Sequence, residues 1–374
     1  MANITEIKRF GEHKNAFGAL RLLFASLVIL AHTPEMIDGN RSRELLTRIF
    51  GTISFGELAV DAFFVISGFL ITDSFVKNPD VRSYLLKRVA RIFPAFIMAT
   101  LLCLFVVSPL GGGRVPQGFS DLAKSTVHLL LLMPPDPTQH LGPFPGGPYP
   151  LLNGAAWTIA YEFRCYLLVL LLGMLGIFKR PRLLIAVTVL MFAAYALVPS
   201  QSFAKFDAVL PAHFYWWGST RQACRLFGVF LTGSLFFLYR ERIAFTNPLA
   251  LITTPLLLLS LCVPTLADAG TAVFGGYLIF FVAQRGGDTI LRDINNKNDI
   301  SYGIYLYGWP IGRLLVWWLP GASLVALNTV TLALAALFGW LSWHLIEKPV
   351  MKIVRHRRNG ADSTRDQSDK LHRQ

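Results

Sequence analysis

A chain of 374 residues that is 53% hydrophobic and 15% charged, with a mean hydropathy of +0.49, is too apolar for an ordinary soluble domain. Its net charge of +13 raises nucleic-acid binding, a class that the placement of the basic residues must decide. The four cysteines, Cys103, Cys165, Cys224 and Cys262, lie in apolar segments without CxxC or Cys/His spacing, so buried thiols are expected in place of disulfides or a metal site.

Apolar length gives ten candidate spans, at about 16–36, 57–76, 92–110, 156–178, 182–199, 222–239, 249–267, 270–284, 300–319 and 323–346. The fold class expected is an all-α polytopic bundle of about ten transmembrane helices. The basic N-terminus precedes an apolar run that lacks a cleavage signal and holds Arg21, so the first helix is expected to be retained. With a cytoplasmic N-terminus, 24 of the 35 Lys and Arg residues fall in inside segments, 7 in outside segments and 4 within spans. That excess fits the positive-inside rule with both termini cytoplasmic, and it removes the need for nucleic acid.

The first span, FGALRLLFASLVILAH, holds Arg21 and His32. Eleven residues are three turns plus about 20°, which sets the two on one stripe about 16 Å apart along the axis. Ionisable groups inside an apolar span usually face a bundle interior, so this helix reads as one wall of an active site. Asp61 enters on the second span, and Trp157, Glu162 and Tyr166 on the fourth; with His32, the two carboxylates are expected towards the outer face. Lys87, Arg88 and Arg91 stand at the cytoplasmic mouth, the two arginines three apart on one helical face. An imidazole can deprotonate a hydroxyl with help from a carboxylate, and paired arginines suit phosphate. Structural alternatives stand beside these readings. His32 could be an interfacial residue, Arg88 and Arg91 could anchor the helix, Asp61 could pair with Arg164, Arg225 or Arg313, and Tyr302 and Tyr305 could serve packing. Ser67 reads as a small helix-packing residue.

The outside segment 111–155 is rich in turn formers, and Phe119 to Met133 within it has helical apolar spacing suited to a membrane surface. HFYWWG, from His213, reads as an interfacial aromatic belt, with a sugar-stacking platform as the alternative. Residues 1–352 form the expected membrane domain, and the basic tail 353–374 is expected to be cytoplasmic and disordered.

Together these residues resemble the acyltransferase 3 family of bacterial integral membrane acyltransferases. Arg21 and His32 reproduce its R-x10-H, and VDAFFVISGFLIT from Val60 resembles its second-helix signature. Arg88 and Arg91 form its RxxR. WTIAYEFRCY resembles W-S-L-x-x-E-x-x-Y with Thr158 in place of Ser, SYGIYLYGWP resembles its ninth-helix motif, and IEKP, from Ile346, its terminal one. The resemblance implies transfer of an acyl group, most commonly acetyl, from cytoplasmic acyl-CoA to a hydroxyl of an extracytoplasmic glycan or lipid-linked sugar. The enzyme would lie in the bacterial inner membrane, among lipid, with no permanently bound cofactor and no metal. It also implies His32 as base with Glu162 and Asp61 supporting it, and Arg21, Arg88, Arg91, Tyr302 and Tyr305 at the donor. Trp157 and Tyr166 would meet the acceptor. Gly308 departs from the pattern, standing where many members have His, so Tyr305 or Tyr307 is expected to substitute. No SGNH-type hydrolase domain follows the last helix, which resembles the stand-alone members. A secondary transporter or flippase is the rival class, weakened by the lack of paired Gly/Pro-broken helices in two related halves.

Overall fold

A computed structural model describes residues 15–136, 138–210 and 218–355. All ten apolar segments expected from the sequence are helical in it. Six helices are long and apolar enough to cross a membrane: α1 (Phe17–Asp38), α2 (Phe55–Lys77), α3 (Val81–Leu110), α5 (Trp157–Met174), α10 (Ala267–Gly286) and α12 (Leu324–Arg355). Between them lie the exposed helix α4 (Gly118–Leu130), the pair α6 (Pro181–Leu197) and α7 (Ser200–Val209), then α8 (Thr220–Leu238), α9 (Asn247–Leu261) and α11 (Ser301–Trp318). The α6 and α7 pair makes a seventh span if counted as one, bent by 104°. The other three fall short for visible reasons. Helix α8 opens with Arg221, Gln222 and Arg225, α9 has 15 residues, and α11 carries Arg313 among tyrosines, glycines and Pro310. The chain is therefore an all-helical, multi-pass membrane protein.

Local chemistry sets the helix ends. Ser54 and Glu57 form a reciprocal capping box at the start of α2, Asp80 accepts from Ser83 N at 2.6 Å to begin α3, and Gly39, at φ +80°, closes α1. Inside the bundle, α1 packs between α2 and α11, while α2 also crosses α8. That last crossing depends on small residues. A Cβ on Gly68 would lie 1.9 Å from the Phe230 carbonyl oxygen, and one on Gly233 would lie 2.0 Å from that of Val65. Neither position has room for a side chain, so the two backbones touch directly. The main core gathers Phe17, Phe69, Phe237 and Phe280 at this crossing.

Several expectations change here. Helix α1 runs six residues past His32, with Pro34 inside it. Helix α12 carries past Lys352 to Arg355; residues 356–374 and most of the HFYWWG stretch lie outside the described residues. Cys262 is exposed on the apolar surface and Cys224 is half-buried, so only Cys103 and Cys165 are the buried thiols expected. Helix α4 forms where the spacing placed it, and none of its residues is buried, Phe119 being 89% exposed.

Candidate active site

Two cavities share a wall. The larger, about 1350 Å³, opens at the end of the bundle that carries the turn at Asn78 and the last turn of α12. It exceeds the usual small-molecule range of about 300–1,000 Å³. Its lining includes six cations, Arg21, Arg82, Lys87, Arg88, Arg91 and Arg355, against two carboxylates, Asp80 and Glu162, with an apolar floor that includes Phe63, Phe64 and Ile159. The smaller, about 130 Å³, holds His32, Glu35 and Trp157 among its walls. Among the described residues, only Val60, Thr158 and Tyr305 line both.

Helix α1 serves both chambers because one unbroken helix carries Arg21 to the first and His32 to the second. His32 is oriented by its own helix. Its Nδ1 lies 3.0 Å from Glu35 Oε2, three residues on, and the other carboxylate oxygen accepts from Arg41 Nε at 2.7 Å. Glu35 is buried and acceptor-only when ionised, so in a neutral imidazole this contact places the proton on Nδ1 and leaves Nε2 with its lone pair. That nitrogen faces α2 at Gly56, where an added Cβ would lie 3.8 Å away. The Trp309 ring closes another side edge-to-face, 4.9 Å between centroids. Trp309 is held in turn by the segment 111–155, since its Nε1 donates to the Leu151 carbonyl at 3.2 Å.

The sequence missed Glu35 as the carboxylate on His32. Asp61 is instead wholly buried against Arg225, with Nη2 to Oδ1 at 2.7 Å, while Arg225 Nε reaches Asp268 at 2.5 Å. One of the three structural pairings left open is thus the one formed. Glu162 also lies elsewhere than expected. It lines the large cavity, where it accepts from Tyr166 Oη at 2.5 Å and from Ser67 Oγ at 3.2 Å. Tyr166 follows it there, apart from Trp157, which stays with His32. Nine residues are two and a half turns, so Trp157 and Tyr166 point to opposite faces about 13 Å apart along α5. Ser67, expected only to pack, is a hydrogen-bond partner of Glu162.

The arginines divide by partner. Arg21 and Arg91 both meet Asp299, at 3.3 and 2.7 Å, and Arg91 also meets the buried Glu347 at 3.2 Å. Burial opposes the charge on Asp299, yet Arg21, Arg91 and hydrogen bonds from Ser301 and Asn295 hold its carboxyl well below the usual range. The Ile346–Pro349 motif and the RxxR motif are therefore two halves of one ion-pair network, and Arg91 is more committed to the fold than the spacing suggested. Arg88 is sandwiched between the Tyr84 and Tyr166 rings at 5.5 and 5.6 Å, donates to Ser74 Oγ, and has a buried Nε with no protein partner. Tyr302 lies under Arg91 at 5.6 Å and donates to the Ile92 carbonyl, while Tyr305 stands in the shared wall, its hydroxyl 2.5 Å from Thr158 Oγ1 and 2.8 Å from the Ala155 carbonyl oxygen. Tyr307 packs on Phe338, away from both chambers. At Gly308 an added Cβ would lie 2.6 Å from Ile29 Cγ1, so the missing side chain lets α11 press onto α1 one turn before His32. No group of three or more His, Cys, Asp or Glu among the described residues could hold a metal ion.

The chain is similar to known proteins over nearly its whole length. The family described as "Acyltransferase domain" of acyltransferase 3 matches residues 14–346. The chain is 28% identical over 371 residues to Nodulation protein 10 of Rhizobium leguminosarum bv. viciae, covering 91% of this chain and 94% of that protein. It is 26% identical over 348 residues to the O-acetyl transferase of Shigella phage Sf6, covering 90% and 96%. No solved structure matches. With the motifs spread from Arg21 to Pro349 and the match running across nearly the whole chain, this protein belongs to the acyltransferase 3 family and is a membrane acyltransferase.

Proposed function

We propose that the chain transfers an acyl group, most readily acetyl, from cytoplasmic acyl-CoA to a hydroxyl of an extracytoplasmic or surface-destined glycan. The observation that carries this reading is the pair of chambers meeting at Val60, Thr158 and Tyr305, one cation-rich and large, the other small and built around His32. Acyl-CoA is anionic at its nucleotide end and uncharged at its thioester, so it suits an opening rimmed by Arg82, Lys87, Arg88 and Arg355 with an apolar floor. Arg88 binds donor phosphate, Arg21 and Arg91 shape the channel through Asp299, and Tyr302 and Tyr305 border the pantetheine path. The O-acetyl transferase relative supports an oxygen acceptor by likeness.

The chemistry follows from His32. The acceptor hydroxyl enters beside Trp157, and Nε2 takes its proton as the oxygen attacks the thioester carbonyl. Glu35 balances the imidazolium that forms. The tetrahedral intermediate collapses with loss of the CoA thiolate, which takes up the proton, leaving an ester and free CoA. Glu162 and Asp61 act at a distance, the first by holding Tyr166 and Ser67 beside the donor, the second by fixing Arg225 behind the His32 chamber.

In the membrane, α8, α9 and α11 complete ten spans with α6 and α7 as one, both termini lie in the cytoplasm of a bacterial cell, and the large chamber opens inward. This orientation rests on the positive-inside excess. The test compares base-labile acyl groups on envelope and secreted glycans from cells making wild-type chain or His32→Ala at equal abundance. Loss of at least about 100-fold is expected in the variant; equal acylation would refute the assignment, and uptake of labelled glycan precursor without acylation would favour a transporter.

A further inference from the structure

We propose that Val60, Thr158 and Tyr305 form a size filter that admits a short acyl group to His32 and turns back longer ones. The proposal rests on the donor reading above and adds what fixes the acyl length. These are the only described residues that border both chambers, and they come from three helices, α2, α5 and α11, so the layer is built by tertiary packing and not by one loop.

The layer is tight. Thr158 Oγ1 and Tyr305 Oη are 2.5 Å apart, and Tyr305 also donates to the Ala155 carbonyl at 2.8 Å, so the phenol is tethered to the first turn of α5 and to the chain just before it. All three side chains sit at 9% exposure or less. Phe63, one turn after Val60, braces the Tyr305 ring edge-to-face at 6.1 Å. The chamber beyond is small. Its volume of about 130 Å³ stands against about 1350 Å³ for the chamber on the donor side. His32 lies in that chamber, so the reacting carbonyl must reach it. Butyryl adds two methylenes that have to pass the layer of Val60, Thr158 and Tyr305 with the carbonyl. A sugar ring stays outside, and only its hydroxyl-bearing arm reaches in.

One methylene against a close-fitting apolar wall changes selection by about 10- to 200-fold. The test supplies inverted membrane vesicles from expressing cells, with their endogenous acceptor, with equimolar acetyl-CoA and butyryl-CoA. Base-released acids are counted by mass spectrometry, subtracting a His32→Ala background. Wild type is expected to release acetate over butyrate by at least about tenfold, and Val60→Ala and Thr158→Ser to lower that ratio by about tenfold or more. Val60→Ile, which narrows the layer, should raise it. Because each ratio is internal to one variant, differences in abundance cancel. A wild-type ratio near one, or ratios unchanged in the variants while transfer persists, would overturn the filter, as would loss of both acids in both smaller variants at normal abundance. If wild type gives no His32-dependent acid from either thioester, the donor reading itself fails and the filter with it.

Discussion

Replacing Glu35 by Gln isolates the group that the structure sets behind His32. The carboxylate serves two donors with two oxygens, Oε2 facing His32 Nδ1 at 3.0 Å and Oε1 facing Arg41 at 2.7 Å. A glutamine has one oxygen, so one donor meets an NH₂ group whichever way the amide turns. Arg41 is 61% exposed and recovers its loss from water, whereas the imidazolium formed during attack loses a buried anion. A hydrogen bond to a charged group is worth about 1.5–3 kcal/mol, and at about 1.36 kcal/mol per decade the expected fall in kcat is about 10- to 150-fold. The KM for acyl-CoA should move by less than about threefold, because Glu35 lines the smaller chamber, across the shared wall from the proposed donor site. Initial rates in vesicles, with chain abundance measured in the same membranes, read both constants. A kcat within about threefold of wild type, at equal abundance, would refute Glu35 as the positioning residue of His32, and a rise in KM with kcat unchanged would move it to substrate binding.

Other consequences follow from the ion pairs and the packing. Arg91→Ala strands Glu347, which is fully buried, and should cost about 3–5 kcal/mol of stability, seen as a lower Tm in detergent; Arg91→Met with Glu347→Leu should recover part of it. Arg88→Ala, whose guanidinium has only Ser74 and two rings as described partners, should instead raise the KM for acyl-CoA at little cost in Tm; the opposite pattern would exchange the two roles. Because the native carboxyl of Asp299 is held below its unfolded value of about 3.9, its stabilisation is complete above that pH and is lost as acid carries the solution down towards the native value. Tm should therefore be insensitive to this group between pH 5 and about 8 and fall below about pH 4, and Asp299→Asn should lower Tm at neutral pH while flattening the acid limb. Gly308→Ala drives a methyl into Ile29 and should cost about 1–3 kcal/mol, with Ile29→Val relieving part of the strain; an unchanged Tm would show that the helices part freely.

Periodicity and charge made much of this molecule legible. The eleven-residue interval from Arg21 to His32 needs only helical geometry to define a shared stripe, and the apolar lengths located every long helix. What escaped was partner choice. Glu35 stood at a readable i, i+3 spacing inside the expected first span, but the carboxylates weighed for His32 were Asp61 and Glu162 on other helices. Asp299 and Glu347 meet Arg91 across 208 and 256 residues, distances over which no local pattern reports. Asp61 had three arginines to choose from, and packing chose Arg225. Glu162 and Tyr166 line the larger chamber and not that of His32, and a count of residues from a helix end does not say which of two chambers a face will meet.

The uncharged layer of Val60, Thr158 and Tyr305 also bears on what leaks. A protein that keeps a wide, cation-lined cleft open to one aqueous phase invites ions towards the middle of the bilayer, where each elementary charge crossing a 100 mV potential dissipates about 2.3 kcal/mol. At this layer a hydrated ion would have to shed its water against a valine, a threonine and a tyrosine whose hydroxyls are already engaged with each other and with the Ala155 carbonyl. An electrically neutral acyl fragment meets no such barrier. In the proposed orientation, the same three side chains would keep the membrane insulated while a thioester on one face is spent on an ester at the other.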